Sequence, residues 1–460
     1  MTTTTDGTGF DQLRTQVQAE LLARLPDHIE RLRWSYQQIK AAQQEGLRGL
    51  LSKAIESSPF HSRRLGGIDP SRFELADLAS LPVMTKAEMM ESLDDVFTDK
   101  RLNRGLVEQA LAATTTEPVP ILSRYTALAS GGVSGQRGVF VADSEVRASF
   151  ILSALRSPMA RLQALGNLPP EGLPIAFVAA ASAVHGTGSM PAWGTGGALP
   201  FRVIPVPVTL PLGKMVEGLN IAQPPLLYGY LSMLAPAAEQ CAGRLHIAPM
   251  SVTTNSETLG PALRAAIAAG FGAPIVDGFG SSEGLFGMTA PNDDVLVFNS
   301  DLCIVELVDA ENQPVPLGVP SAKVLLTNLY NRTQPLIRYE LTDSFVRQPD
   351  APDHGHLRAK VGGRAEEVLH YNSVDIHPHV VRSAMVQSPG VLDYRVRQTP
   401  QGIDVEALAV AQVNSDRLAE QLVQALAAAG LQDPAVSVRI VDHLERMPDT
   451  GKLRRFLPLP

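Results

Sequence analysis

The residues best suited to chemistry lie together at positions 277–284, where the sequence is Asp-Gly-Phe-Gly-Ser-Ser-Glu-Gly. The apolar run at 273–276 just before them predicts a short buried strand. Gly278 and Gly280 predict a tight turn and a close approach of the backbone to another group. Backbone N–H groups and hydroxyls suit phosphate oxygens, and a carboxylate suits Mg²⁺. This stretch alone predicts either a phosphate and metal site or an ordinary glycine-rich strand exit.

Length and composition limit the class of protein. The 460 residues are enough for two or three domains, with 45% hydrophobic and 19% charged residues as in globular proteins. The net charge of −8 is spread along the chain without a basic block, which argues against nucleic acid as the main partner. Cys241 and Cys303 are the only cysteines, which excludes a disulfide framework and a cysteine-based zinc site.

Location and membrane contact follow from hydropathy. The N-terminal residues are polar, unlike a signal peptide, and no apolar run approaches the ~20 residues that span a bilayer. We therefore expect a cytoplasmic protein with no membrane partner. The sequence leaves open whether it forms a homodimer.

Apolar spacing predicts the elements. An apolar stripe that begins with Leu13, Val17, Leu21 and Leu25 predicts a first helix, which Pro26 interrupts. Two more helices are predicted up to residue 55. A helix capped at Thr85, with Glu88 completing a capping box, is predicted next. A small polar loop is predicted at 183–189.

The order of the elements predicts the fold class. Strand-like runs alternate with helices from residue 138 to residue 284, which indicates an α/β core with a substantially parallel sheet. Short strands with turn-rich connections after residue 299 indicate antiparallel structure. From about residue 367 the order strand, strand, helix, strand predicts a compact α+β unit of ~90 residues.

Six separated stretches follow one another along the chain: 130–135, 254–259, 279–283, 335–343, 363–367 and 448–455. In this order they resemble motifs of the adenylate-forming (acyl-CoA synthetase/ANL) superfamily. Residues 58–60, 67–70 and 81–86 are similar to its phenylacetate–CoA ligase-like branch. The resemblance covers nearly the whole chain. It implies a large multi-subdomain ATP- and acyl-binding α/β domain over 1–365, and a small mobile lid domain over 366–460 that carries a catalytic lysine.

The resemblance assigns the phosphate loop to residues 130–135, where backbone N–H groups and hydroxyls would face the β and γ phosphates of ATP. The residues concerned are Ser130, Gly131, Gly132, Ser134 and Gly135. Val133 stands where the family has a hydroxyl, and Arg137 where it has proline. The alternative is a flexible surface loop.

The adenine and α-phosphate contacts are implied in the same way. Ser256 and Glu257 would lie with their backbone against the adenine, and Phe279 would stack near it. Asp277, next to Gly278 and Gly280, would reach the exocyclic amine. Ser282 would contact the α-phosphate and Glu283 would help to hold Mg²⁺.

The remaining implied roles lie towards the C-terminus. Asp343, which ends the motif with the most specific match, would accept hydrogen bonds from the ribose hydroxyls. Arg364 would reach the ribose or a phosphate. Glu366 is the implied hinge residue, where the family has Asp or Lys. Lys452 would bridge the carboxylate and the α-phosphate, where negative charge builds up during adenylation.

The acyl pocket is implied at two places. His185 and Gly186 lie where the family lines this pocket, and His185 either orients the carboxylate or is a buried structural histidine. Tyr228 and Tyr230 suit a small aromatic or planar acid. We therefore expect an aromatic or short acyl carboxylate as the substrate.

The implied reaction is ATP-dependent adenylation of a carboxylate, followed by acyl transfer to a thiol, with CoA as the expected acceptor. Three alternatives stay open at this point. The acceptor could be an amine, a hydroxyl or a carrier protein, or the chain could be a non-catalytic nucleotide-binding relative. The spacing of Gly278 and Gly280 weakly suggests a dinucleotide oxidoreductase, but the third glycine of that motif is missing.

Overall fold

The computed structural model describes residues 8–130, 138–164, 166, 172–180, 182–195, 199, 201–208, 210–240, 243–255, 259–364, 368–372, 374–376, 378–386, 388, 391–409, 413–445 and 453–459. The helices of this part of the chain are α1 (Thr8–Glu30), α2 (Tyr36–Ser57), α3 (Pro59–Leu65), α4 (Lys86–Glu91), α5 (Leu93–Val96), α6 (Arg104–Ala113), α7 (Ser144–Ala164), α8 (Gly186–Trp193), α9 (Leu212–Ala222), α10 (Leu231–Gln240), α11 (Pro261–Phe271), α12 (Pro378–Val386) and α13 (Ser415–Ala428).

The strands of the same residues are β1 (Thr126–Ala129), β2 (Val139–Ala142), β3 (Leu173–Ala179), β4 (Phe201–Pro207), β5 (Leu226–Tyr230), β6 (Ser251–Asn255), β7 (Ile275–Gly280), β8 (Phe286–Met288), β9 (Leu296–Phe298), β10 (Cys303–Val308), β11 (Lys323–Asn328), β12 (Tyr339–Leu341), β13 (Asp343–Arg347), β14 (Arg358–Arg364), β15 (Leu369–His370), β16 (Asp375–Ile376), β17 (Val391–Thr399), β18 (Gly402–Ala409), β19 (Ala435–Val441) and β20 (Phe456–Leu457).

A nine-stranded mixed sheet forms the centre, with strand order β13-β14-β9-β8-β7-β6-β5-β3-β4. The strands β4, β3, β5, β6 and β7 are mutually parallel, whereas β8, β9, β14 and β13 continue the sheet in antiparallel pairs. The predicted α/β class with a largely parallel core is therefore confirmed. The predicted antiparallel structure after residue 299 is also present, since β10, β11 and β12 form a separate antiparallel sheet.

Side chains of β3 alternate between two cores, because successive residues of a strand point to opposite faces. Ile175 and Phe177 join a core with α1 and α7, whereas Ala176 and Val178 join a core with α9, α10 and α11. Helices therefore cover both faces of the parallel part, which is the layered arrangement of α/β domains.

The prediction that Pro26 interrupts the first helix is wrong. α1 continues through Pro26 to Glu30 and lies against α7, with a buried stripe formed by Phe10, Leu13, Val17 and Leu21. Packing along the whole helix outweighs the loss of one backbone hydrogen bond at the proline, which costs about 3 kcal/mol. Instead of two further α-helices, a 3-10 turn at Arg31–Arg33 and the single helix α2 follow.

Two other element predictions need correction. Residues 186–189 belong to helix α8, so only the first part of the predicted 183–189 loop lies outside a helix. In the C-terminal unit, α12 precedes the predicted strands and was not anticipated. The Thr85–Glu88 capping box is present as predicted, with both of its reciprocal hydrogen bonds.

The C-terminal unit has its own sheet and its own core. The strand order is β19-β18-β17-β20, and α12 and α13 contribute side chains to the core on this sheet. All residues of this core lie between Leu369 and Phe456. Among the described residues, no helix is long and apolar enough to cross a membrane.

A buried ion pair fixes α7 to the segment after β9. Arg156 donates from Nη1 to Asp301 Oδ2 at 2.8 Å and from Nη2 to Oδ1 at 2.6 Å. Asn299 Oδ1 accepts two more bonds from the same guanidinium. Both charged side chains are fully buried. Removing the charge of Asp301 would therefore leave Arg156 without an ionic partner among the described residues, in a low-dielectric interior.

We predict that Asp301→Asn lowers the free energy of unfolding by about 3–5 kcal/mol, because Arg156 would stay buried without its counter-charge. The measurement is urea denaturation followed by circular dichroism. The control is Asp294→Ala, which breaks the exposed pair with Lys360 and should cost less than about 1 kcal/mol. Equal effects of the two variants would contradict the prediction.

Candidate active site

The predicted tight turn at Gly278 and Gly280 is wrong in its position. β7 does not end at Val276 but continues to Gly280 and pairs with β8 in an antiparallel hairpin. Gly280 lies opposite Phe286, and a Cβ at Gly280 would come within 2.8 Å of that ring. The absence of a side chain at Gly280 therefore allows the Phe286 ring to pack closely inside the hairpin, and the backbone does not turn there.

The turn itself lies at residues 281–284 and depends on Gly284. Its φ of +99° belongs to a region that L side chains rarely adopt, and a Cβ there would overlap Tyr330 Oη and Asn328 Nδ2. Asn328 Nδ2 donates to the Glu283 carbonyl at 2.8 Å, and Tyr330 Oη donates to the Gly284 carbonyl at 3.1 Å. The last residue of β11, Asn328, and the nearby Tyr330 thus hold the backbone that carries Ser282 and Glu283.

Glu283 is a buried carboxylate with charged neighbours. Burial raises its pKa, Lys86 opposes this rise and the nearby Asp343 adds to it. The Tyr339 hydroxyl, which also senses the charge of Glu283, is buried without a hydrogen-bond partner in the described chain. Burying the ionised Glu283 beside a second carboxylate is unfavourable, so a cation bound beside them would be stabilised.

Asp277 lies in β7 and accepts a hydrogen bond from Thr254 Oγ1 at 2.8 Å. Burial raises the pKa of Asp277 to about 6, while the bond from Thr254 and the charge of Arg264 oppose the rise. Phe279, two residues later, has its ring edge-on to Phe345 and Phe298, with centroids 5.0 and 6.0 Å away. Contacts with residues on other strands thus fix the orientations of the Asp277 and Phe279 side chains.

Asp343 and Arg364 are brought together by strand register. They are direct partners in the antiparallel pair of β13 and β14, although 21 positions separate them in the sequence. Facing residues in such a pair have Cα atoms about 4.5–5.5 Å apart. The fold therefore places the two predicted ribose contacts at the same level of the sheet, close to the turn that carries Glu283.

Ser130 closes the neck of the predicted phosphate loop. Its Oγ accepts from the Gly138 N–H at 2.9 Å, and its own N–H donates to the Gly138 carbonyl at 2.9 Å. The other predicted loop residues lie outside the described residues, namely Gly131, Gly132, Val133, Ser134 and Gly135. The same is true of Arg137, Ser256, Glu257, Glu366 and Lys452.

An apolar cavity of about 520 Å³ joins the predicted acyl-pocket residues to the turn. His185, Gly186, Tyr228 and Tyr230 all line it, and so do Gly280 and Ser282. A small second cavity of about 20 Å³ lies on the other side of Ser282 and Glu283. Residues from two separate predictions, the acyl pocket and the phosphate site, therefore share one cavity.

The polar lining residues of the large cavity are held by local contacts. His185 stands at the N-cap position of α8, directly before Gly186. Tyr230 Oη and Thr187 Oγ1 are 2.5 Å apart. The Tyr228 ring is stacked on Phe177 with centroids 4.1 Å apart and an interplanar angle of 15°. These contacts present a flat aromatic wall beside a few hydroxyl groups.

Arg338 is a residue of the 335–343 motif to which the sequence assigned no role. Its guanidinium makes two bonds to the Glu306 carboxylate, at 3.1 and 3.0 Å, and also donates to the carbonyls of Ala79 and Leu81. Arg338 has a φ of 49° and is buried. It pins the segment before α4 onto this motif, and so holds Lys86 near Glu283. Nothing in the sequence before Tyr339 predicts that Arg338 is buried and makes these contacts.

Arg147 is another buried cation that the sequence did not single out. It donates to Thr126 Oγ1 at 3.1 Å and lies over the rings of Phe150 and Trp193. It also lines the small cavity behind Ser282 and Glu283. Burial lowers the pKa of Arg147 to about 10, so it stays charged near neutral pH.

We predict that Gly284→Ala destabilises the protein by at least about 1–3 kcal/mol, because its backbone conformation is strained for alanine and the methyl group would displace Asn328 and Tyr330. Denaturant unfolding measures the loss. Gly218→Ala, at an exposed site in α9 with open space around it, is the matched control and should be neutral or stabilising by up to about 1 kcal/mol. A loss no larger than that of the control would disprove the requirement for glycine.

We predict that Asp277→Asn stabilises the protein above pH 6 and loses this advantage as the pH falls towards 4. A carboxyl with a raised pKa favours the fold when protonated, so wild-type stability falls as the pH rises through about 6. The difference should reach about 3 kcal/mol at most. Thermal unfolding from pH 4 to pH 8 measures it. Parallel stability curves for both proteins would count against this assignment.

No protein-family model and no curated protein matches the sequence. Solved structures do match it. The 2-hydroxyisobutyryl-CoA ligase in the postadenylation state, in complex with R3-HIB-AMP, is similar over 93% of this chain and 90% of its own, at 17% identity and a TM-score of 0.69.

The same ligase with 2-HIB-AMP and CoA in the thioesterification state gives a TM-score of 0.55 at 17% identity, over 93% of this chain and 91% of that one. The amide bond synthetase McbA from Marinactinospora thermotolerans gives 0.51 at 14% identity, over 69% of this chain and 66% of its own. The predicted fold is confirmed: the chain has the α/β fold of the adenylate-forming ligases, with a small C-terminal domain.

Proposed function

We propose that this protein activates a carboxylic acid with ATP, forming an acyl-AMP and pyrophosphate, and then transfers the acyl group to a thiol, with CoA as the acceptor. The observation that carries the proposal is the shared cavity. Its apolar body ends at Ser282, next to the buried Glu283, whose pKa the charge of Asp343 helps to raise. A carboxylic acid in this cavity would have its acid group at the polar end, where a nucleotide phosphate would meet it.

The roles proposed for the chain are those that the resemblance of its motifs implies. Ser282 donates to the α-phosphate, while Asp343 and Arg364 hold the ribose. Asp277 faces the adenine amine and Phe279 its ring, next to the backbone of Ser256 and Glu257. Lys452 brings a positive charge to the carboxylate and α-phosphate as the phosphorus becomes more negative.

Magnesium fits the residues around Glu283. The raised pKa of this buried carboxyl and the neighbouring Asp343 both mark a place that favours a cation. Mg²⁺ is commonly held by one or two carboxylates together with substrate phosphates. Glu283 would hold it here, and the ion would neutralise charge on the phosphate oxygens. Ser130 and the 131–135 loop would lie against the outer phosphates.

The chemistry has two steps. A carboxylate oxygen attacks the α-phosphorus of ATP and pyrophosphate leaves with the electron pair. A thiolate then attacks the acyl carbon and AMP leaves, so that no oxidant or reductant is needed. We propose that the small domain moves about Glu366 between the two steps, which would make it a lid with a short hinge.

The aromatic lining favours an aromatic acid over a short aliphatic one. The stacked pair of Tyr228 and Phe177, and the edge-to-face pair of Phe150 and Phe286 at 4.8 Å, contribute flat ring surfaces to the cavity. A volume of about 520 Å³ lies within the usual range of pockets for drug-sized ligands. A short acyl chain would leave much of it empty.

An amine acceptor is the second candidate. The similarity to an amide bond synthetase shows that this fold also serves a protein of that description. The mass of the product with CoA present and absent, and with added amines, separates the candidates. A non-catalytic relative, suggested by Val133, Arg137 and Glu366, would instead give no product and no effect of Lys452→Ala.

We predict that wild-type protein exchanges radiolabelled pyrophosphate into ATP with at least one acid of a carboxylate panel, and that Glu283→Gln lowers this exchange about 10²–10³-fold. The same change should keep or increase thermal stability, because it removes a carboxylate that the fold holds with a raised pKa. A purely structural Glu283 would show the opposite pattern.

The matched control is Glu311→Gln, an exposed carboxylate in the turn after β10, which should leave both exchange and stability unchanged. If no acid of the panel supports exchange by the wild-type protein, the proposed function is wrong.

A further inference from the structure

The large cavity is elongated and follows helix α7. Phe150 and Arg161 both line it and are about 16 Å apart along the axis, at 1.5 Å per residue. Leu226 and Tyr230, at opposite ends of β5, also both line it, and a strand of that length spans about 13 Å. Two independent elements therefore give the cavity a length of about 13–16 Å.

The two ends of this cavity differ in chemistry from its middle. The end at Ser282 is polar and adjoins Glu283. The middle is lined by apolar side chains such as Ile151 and Leu155. The guanidinium of Arg161 also lines the cavity, next to Met288, which lies two residues along β8 from Phe286 and so on the side away from the 281–284 turn. A ligand that runs from Ser282 past Phe286 along β8 would thus meet a cation at Met288.

Arg161 has no carboxylate partner among the described residues. Its one hydrogen-bond contact there is a weak one, from Nη2 to the Met288 sulfur at 3.9 Å. Arg156, five positions earlier on the same helix, is fully paired with Asp301. Arg161 is half-buried, and burial without a compensating charge lowers its pKa. Among the residues that the structure describes, this cation therefore lines the cavity without a counter-ion.

We infer, on the basis of the proposed function, that the activated acid is a dicarboxylic acid with an apolar body, whose second carboxylate binds Arg161. The body is an aromatic or aliphatic unit that spans the apolar middle. One carboxylate lies at Ser282 and reacts, while the other pairs with the guanidinium and is not activated.

A carboxylate is the group that this end of the cavity recognises best. The planar guanidinium offers parallel N–H donors that match the two oxygens of a carboxylate. A bound carboxylate would supply the missing counter-charge, whereas a methyl end would leave the half-buried cation unpaired. A neutral hydroxyl could accept one bond but would leave the charge uncompensated.

The test compares acids that differ only at the far end. ATP–pyrophosphate exchange is measured for sebacate against decanoate and 10-hydroxydecanoate, and for 4-carboxycinnamate against cinnamate. We expect kcat/KM of the wild-type protein to favour the dicarboxylate about 10–100-fold in at least one series, as for a hydrogen bond to a charged group. Arg161→Met should abolish this preference and improve the use of the matched monocarboxylate.

Arg161→Lys and Arg202→Met serve as controls. The lysine variant keeps the charge but not the fork of donors, so part of the preference should remain. Arg202 is exposed on β4 and does not line the cavity, so its variant should behave as wild type. Arg161→Gln repeats the test if the methionine variant does not fold.

A second readout does not depend on turnover. The midpoint of thermal unfolding, measured without ATP, should rise more with sebacate than with decanoate, and this difference should disappear in Arg161→Met. Exchange that favours monocarboxylates or the hydroxy acid, with no change in Arg161→Met, would overturn the inference and leave the proposed function intact. Absence of exchange with every acid would refute the proposed function, and the thermal shifts would then decide the inference alone.

Discussion

The turn at residues 281–284 is the constraint on which the candidate site depends. Gly284 has a φ of +99°, and the space that a side chain would need there is filled by Asn328 and Tyr330. Both of these residues donate hydrogen bonds to the backbone of the turn, Asn328 from the end of β11 in a separate sheet and Tyr330 from the segment after it. Because the backbone is held from behind, Glu283 is kept in a buried place that its charge disfavours, and Ser282 keeps its position at the end of the cavity.

Charge burial has opposite effects in different parts of the molecule. Arg156 and Asp301 are fully buried but neutralise each other and join α7 to the antiparallel part of the sheet. Glu283 and Asp277 are buried with raised pKa values, so their ionised forms make the fold less stable. Both buried carboxylates therefore lower the stability of the fold, and at Glu283 a bound cation would supply the missing counter-charge.

Much of the fold was accessible from the sequence because it rests on local patterns. The alternation of apolar strands with helices predicts the parallel sheet, and Thr85 with Glu88 predicts the start of α4. Errors occurred where tertiary packing outweighs local preference: α1 continues through Pro26 because its stripe lies against α7. Likewise, Gly278 and Gly280 suggested a turn, but pairing with β8 makes them part of a strand.

The sequence by itself determined the chemical types and the order of the candidate residues, because a motif is a local pattern that can be recognised without knowing the fold. The tertiary structure decided which of them meet. Strand register places Asp343 opposite Arg364, and the cavity along α7 joins His185 and Tyr228 to Ser282. These contacts are long-range and depend on how the sheet is ordered, so no spacing in the chain reveals them. The same holds for Arg161, whose lack of a carboxylate partner in the described part of the chain becomes evident only when its surroundings are known.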